Sequence, residues 1–186
     1  FGRVHPENRE RFPELEAALD ALLHRKRWMQ ERFEQYGWID YGDAYYRRNS
    51  DQVLWRRWAS MFYGWPNVAP LLYLRSGRRE AWDYHRINTR HIIDIDIGHL
   101  ESAAFGKRRG GRYGGNGGIV HYAAEQYGLG PDSHVRFMYL DYYINGNLRA
   151  WEVAGYFVED QYNQLSGSRV LREYQGRTSG GTLRLF

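Results

Sequence analysis

The chain contains no cysteine, which removes disulfides, thiolate metal sites and a cysteine nucleophile from consideration. That absence does not fix the compartment. No apolar run is long enough to span a bilayer, and no signal-peptide pattern is visible, so no membrane partner is expected. No glycine-rich stretch ends in Gly-Lys-Ser/Thr, so a phosphate-cradling nucleotide loop is not expected either. Lysine is scarce, and Arg supplies nearly all of the 26 basic side chains behind a formal charge of +4. Arg is the side chain shaped to fork onto a carboxylate or phosphate. A polyanionic partner is one reading of this bias, and Arg-rich codon usage is the other.

Aromatic residues are plentiful, with 7 Trp and 16 Tyr in 186 residues. Such rings pair an apolar body with a polar handle, which suits interfaces and carbohydrate clefts. The most informative feature is a passage that occurs twice. Tyr73-Leu-Arg-Ser-Gly77-Arg-Arg-Glu-Ala81-Trp82 returns as Tyr142-Tyr-Ile-Asn-Gly146-Asn-Leu-Arg-Ala150-Trp151. In both, an aromatic-rich run ends at a Gly and an Ala-Trp pair follows at the same offset. Gly permits a left-handed helix end, so each copy predicts two helices joined by a tight turn. Repeated hairpins imply stacking side by side, with each unit burying its face against neighbours.

Helical spacing of Leu15, Ala18, Leu19, Leu22, Met29, Phe33 and Tyr36 predicts a helix from about Glu14 to Tyr36. A second helix is expected over Asp51 to Phe62, and a third begins between Pro66 and Pro70. Arg79 to about Ile97 reads as helical at first, although His91 to Ile97 alternates like a strand. Residues 106–118 form a basic, glycine-rich loop that is not expected to hold a helix or a strand. The next helix is expected to be capped at Pro131-Asp132-Ser133 and to carry the stripe Val135, Met138, Tyr139, Tyr142 and Tyr143, and the last covers about Asn147 to Gln164. The expected fold is all-α: stacked helical hairpins forming part of an (α/α) toroid, with residues 1–186 a single domain or a fragment of one. The ends, Phe1-Gly-Arg3 and Leu183-Arg-Leu-Phe186, read as those of an excised piece of a longer protein.

Three segments occur in an order that carries a family resemblance. They are Gly37-Trp-Ile-Asp-Tyr-Gly-Asp43, Arg90-His-Ile-Ile-Asp-Ile-Asp-Ile-Gly-His99, and Ser133-His-Val-Arg136 with Leu140-Asp-Tyr-Tyr-Ile-Asn-Gly-Asn-Leu-Arg-Ala150. Together they resemble the C-terminal α/α-toroid domain of the exo-rhamnogalacturonan lyase family, over about Gly37 to Asp160. The resemblance implies a polysaccharide lyase module acting by β-elimination on a uronate-containing, pectin-like glycan. It also implies β-rich domains elsewhere in the parent chain. A secreted or periplasmic location is the corresponding expectation, and a divalent cation such as calcium is the candidate cofactor. This sequence departs from the family pattern in its basic glycine-rich insertion and in Asn145-Gly-Asn147 at the turn.

Elimination from a uronate needs a cation at the carboxylate, a base for the α-proton and an acid for the leaving oxygen. His99, His134 and His91 are the candidate bases, Tyr142 the candidate acid and Arg136 the carboxylate partner. Trp38, Asp40 and Asp43 form a candidate sugar platform, or else a packed turn capped by its two acids. Within His91-x-x-Asp94-x-Asp96-x-x-His99, α-helical spacing puts His91 with Asp94 and Asp96 with His99. That favours carboxylates orienting imidazoles over a single ion, so no metal ligand is assigned and Asp94 and Asp96 are taken as substrate-binding. Buried helix-bridging polar residues are the alternative. Lys107, Arg108, Arg109 and Arg112 close over an acidic glycan or belong to a solvated linker, and nucleic acid is not the expected partner. Tyr142, Tyr143, Trp82 and Trp151 are expected in the hairpin interfaces. A glycoside hydrolase using Asp40, Asp43, Asp94 or Asp96, and a non-catalytic module binding an anionic polymer, are the competing functions.

Overall fold

Two glycines with left-handed backbone organise the fold. Gly77 (φ 69°) ends helix α2, Val68–Ser76, and Gly146 (φ 71°) ends helix α4, Arg136–Asn145. Each donates its N–H back to a tyrosine carbonyl, Gly77 to Tyr73 at 2.7 Å and Gly146 to Tyr142 at 2.8 Å. The chain then re-enters helix as α3, Arg79–His91, and α5, Leu148–Gly167. Both halves of the repeat are therefore helical hairpins. Ala81 and Ala150 are fully buried at equivalent places, where a small side chain lets paired helices approach closely. Tyr73 meets Trp82 at 4.8 Å between ring centroids, and Tyr142 meets Trp151 at 4.9 Å.

The structure, a computed structural model, describes residues 4–32, 34–36, 41–43, 45–47, 56–58, 66–105, 107–113, 126–127 and 135–167. Helix α1 runs from Pro13 to Arg32 and packs on the first hairpin. Its buried residues are Glu16, Leu23 and Met29, whereas Leu15 of the expected apolar stripe faces solvent. The face is turned by charge. Glu16 pairs with Arg75 at the end of α2, and Asp20 pairs with Arg78 at the turn into α3. Leu23, Leu72 and Ala81 form the small core beneath these pairs. The larger core joins Ile92, Ile93 and Ile97 to Val135, Phe137 and Met138, and to Ala150, Val153, Ala154 and Phe157 of α5. Among the described residues, no helix is long and apolar enough to cross a membrane.

Three local expectations are corrected. Ile92–Asp96 continues α3 as a π-helical turn and does not begin a strand. The neighbours Ile92 and Ile93 are both buried in one core, whereas a strand would turn them to opposite faces. Of the helix expected over Asp51 to Phe62, only 56–58 lies within the described residues, and Arg56–Trp58 is strand β2, antiparallel to β1, Tyr45–Arg47. Tyr46 sits opposite Arg57 in this ladder, and aromatic residues are good strand formers. The described part of the glycine-rich segment, 107–113, is also more ordered than expected. Arg112–Tyr113 forms β3, antiparallel to β4, Gln126–Tyr127.

That segment is fastened to the second hairpin. Gly98 and Gly111 are joined by a 2.9 Å backbone hydrogen bond, and Gly110 donates to the Gly98 carbonyl at 2.7 Å. Arg108 pairs with Asp160 at 2.6 Å, and Arg109 pairs with Glu159 at 3.2 Å while lying over the Tyr156 ring. Gly110 has φ +82°, and a Cβ there would collide with the Tyr156 carbonyl. Glycine at this position lets the loop backbone touch α5.

Candidate functional site

Helix α3 carries two polar faces. Tyr84, Asn88 and His91 follow i, i+4, i+7 spacing, and His85 and Thr89 follow i, i+4 on the adjoining face. The first face meets the turn before β1. Asn88 donates to the Gly42 carbonyl at 2.6 Å, a buried hydrogen bond that docks the turn on the helix. Gly42 has φ +92°, and a Cβ on it would stand 2.5 Å from the Ile87 carbonyl oxygen. Only glycine allows this approach, and the approach delivers Asp43 to His91.

The resulting cluster is Asp43, His91 and Asp96. His91 Nε2 lies 3.5 Å from Asp43 Oδ2 and 3.4 Å from Asp96 Oδ1, with all three residues buried. Sequence spacing paired His91 with Asp94, and the π-helical turn changes the partner. A π-helix bonds i to i+5, so residues five apart come onto one side, and His91 and Asp96 are five apart. Asp94 is instead carried outward, where it accepts from Arg149 of α5 at 2.9 Å and lies 3.6 Å from Arg90. It links the end of α3 to the second hairpin.

Two further groups border Asp43. Burial pulls the Lys26 ammonium down to about 8, with the Asp43 carboxylate opposing that shift and Arg25 adding to it. Burial likewise pushes the Tyr84 hydroxyl up, and the Asp43 charge adds to the rise. Neither residue stood out in the sequence. Their register with Asn88 and His91 on α3, and Lys26's position on α1, become meaningful only once the turn is docked.

The second polar face of α3 meets α4. His85 Nε2 lies 3.5 Å from Asp141 Oδ1, its Nδ1 is 3.2 Å from the Thr89 hydroxyl, and its ring packs on Trp82 at 4.7 Å. Asp141 also accepts from the side chains of Asn145 and Asn147, each at 2.5 Å. Burial by itself would raise this carboxyl. Hydrogen bonding to His85 and Asn147, the His85 charge and the bond from Asn145 together hold it below the usual carboxylate range. Sequence reasoning passed over both His85 and Asp141. The spacing of His85 to Thr89 was the available signal.

The other expected site residues fall in several places. His99 is half-buried, and its Nε2 lies 2.5 Å from the Ile93 carbonyl, where it caps the π-helical turn. A ring nitrogen facing a carbonyl carries the proton, which leaves Nδ1 as the acceptor of neutral His99. Arg136 is exposed at the first position of α4. Tyr142 is half-buried between Tyr143 and Trp151. Trp82 is buried as expected, whereas Tyr143 and Trp151 are 60% and 45% exposed, which corrects their assignment to the hairpin interface. Their rings pack on each other and on the outer side of the hairpin. Trp38, Asp40, His121, Tyr122 and His134 lie outside the described residues.

No protein-family model matches the chain, and a search of curated proteins finds no match.

Proposed function

We propose that the chain is a helical-hairpin module, built as part of an (α/α) toroid, of a polysaccharide lyase that cleaves uronate-containing glycans by β-elimination. One observation carries the reading: the segments behind the family resemblance converge on α3 and its π-helical end. Gly42 and Asp43 reach Asn88 and His91, Asp141 reaches His85, and Arg149 reaches Asp94. Residues that lie far apart in sequence thus support one another, as the parts of a single site do. In this reading the buried Asp43, His91 and Asp96 hold segments in position and do not touch the polymer. Arg136 is an exposed cation available to a uronate carboxylate, Tyr142 is the acid, and His99 presents Nδ1 as the base. The exposed rings of Tyr143 and Trp151 offer sugar-stacking surface.

The burial of Asp43 and Asp96 counts against a hydrolase that would use them as acid and base. The engagement of Arg108 and Arg109 by Asp160 and Glu159 counts against a free basic loop that grips a polyanion. The test is ultraviolet absorbance of the parent-length protein on a panel of uronate polysaccharides, read beside a reducing-end assay. Conjugated-uronate absorbance rising together with new ends is the expected result. The His99→Ala variant should then be slower by a factor of about 10²–10⁴ while keeping its helical circular dichroism. New ends without that absorbance would make the protein a hydrolase, and a wild-type rate in His99→Ala would remove His99 as the base.

A further inference from the structure

We propose that Asp43, His91 and Asp96 bind a divalent transition-metal ion, with Zn²⁺ the best match. The proposal goes beyond the lyase reading and does not rest on it, because the site can hold an ion whatever the module acts on.

Geometry is the first argument. The three residues each offer one ligand atom, and these atoms all lie within 4.8 Å of one another. The two separations from His91 Nε2 are 3.4 and 3.5 Å. Nitrogen and oxygen ligands at about 2.0–2.2 Å from zinc stand about 3.3–3.6 Å apart along a tetrahedral edge. The two separations from His91 match such an edge, and all three ligand atoms lie close enough to share one ion.

The donor set is the second argument. One imidazole with two carboxylates suits zinc, and next manganese or iron, whereas calcium and magnesium prefer shells made of oxygen. This chemistry disfavours calcium at these three residues. Charge points the same way. An imidazole supplies at most one positive charge against two buried carboxylates, and a divalent ion meets both. The ammonium of Lys26, near Asp43, is the internal group that would compete for this role. Three protein donors leave a fourth position for water, as in open zinc sites.

The ion would join pieces that the sequence keeps apart. Asp43 belongs to the turn docked by Asn88, and His91 and Asp96 flank the π-helical turn. Bound metal would clamp that turn to the end of α3, so metal binding and folding stability would be coupled.

The experiment uses the full 186-residue chain, stripped with a chelator and then given ZnCl₂, MnCl₂ or CaCl₂ separately. Calorimetric titration should give about one zinc per chain, and thermal denaturation should show a rise in Tm with zinc, a smaller rise with manganese and none with calcium. Asp96→Asn and His91→Gln should each weaken zinc binding at least about tenfold. Because a buried substitution also tests folding, Co²⁺ is added to the wild-type chain as a second readout. Intense visible bands of four-coordinate cobalt, abolished by added zinc, are expected. Weak six-coordinate bands, no stoichiometric zinc uptake, or equal zinc affinity in a folded Asp96→Asn variant would each overturn the proposal. In those cases Asp43, His91 and Asp96 serve only to dock the turn on α3.

Discussion

The two hairpins share a turn, a Tyr–Trp contact and a buried alanine, yet they use these parts differently. Trp82 in the first is 7% exposed, while Trp151 in the second is 45% exposed. The first hairpin lies between α1 and α4, and the outer side of Trp82 is closed by His85 of its own helix. The second hairpin has Ala154 at the position matching His85, and its tryptophan rests among Tyr139, Tyr142 and Tyr143. The residue before each tyrosine differs as well. Leu72 is buried with Leu23 and Ala81, while its counterpart Asp141 is equally buried but lies 3.5 Å from His85. One sequence pattern thus yields an apolar joint on one side of α3 and an ionic joint on the other. A local motif sets the hairpin, and its neighbours decide what the hairpin buries.

The largest expected difference between the hairpins comes from their tryptophans. Trp82→Ala should cost about 3–5 kcal/mol, because a buried ring leaves a cavity, and Trp151→Ala should cost about half that or less. Chemical denaturation of both variants checks this, and equal losses would mean that Trp151 is covered in solution. Glycines give the next effect. Gly110→Ala combines a left-handed backbone with a collision against the Tyr156 carbonyl and should cost about 2–5 kcal/mol. Gly77 and Gly146 are left-handed but have open space where a Cβ would go, so alanine at either should cost only about 1–2 kcal/mol. Matching losses at Gly77 and Gly146 would establish the two turns as energetically equivalent. Unequal losses would show that one turn is strained by its surroundings.

Much of this architecture was legible because it rests on local chemistry. Gly77 and Gly146 announce their turns, the Ala-Trp pairs fix the repeat, and Pro66 and Pro70 bracket the start of α2. The register of the site was not legible. A π-helical turn has no simple residue signature, so His91 was paired by α-helical spacing with Asp94 when its partner is Asp96. The docking of Gly42 on Ile87 is a long-range contact, and no local pattern shows that Asp43 will meet His91. Charge misled in a similar way. Glu16, outside the apolar stripe read from the sequence, is buried because it pairs with Arg75 across the interface. Arg108 and Arg109 looked available to a ligand and are committed to α5.

The ionic joint makes the smallest and most discriminating prediction. The Asp141 carboxyl is held below the usual range in the folded chain, so the folded state favours its ionised form relative to the unfolded state. A depressed folded value contributes stability that is present above the unfolded pKa of about 3.9. That stability is lost as pH falls through this value toward the folded one. Asp141→Asn should therefore lower Tm at neutral pH by a few degrees, on the order of 1–2 kcal/mol. The difference from wild type should shrink as pH falls below about 4. Leu72→Ala, the counterpart change in the first hairpin, removes apolar contacts and should lower Tm by an amount independent of pH over the same range. Thermal melts of the three proteins from neutral to acid pH separate the two joints. A constant gap for Asp141→Asn would mean that His85 and Asp141 hold the hairpins together by shape and neutral hydrogen bonds, with no contribution from charge.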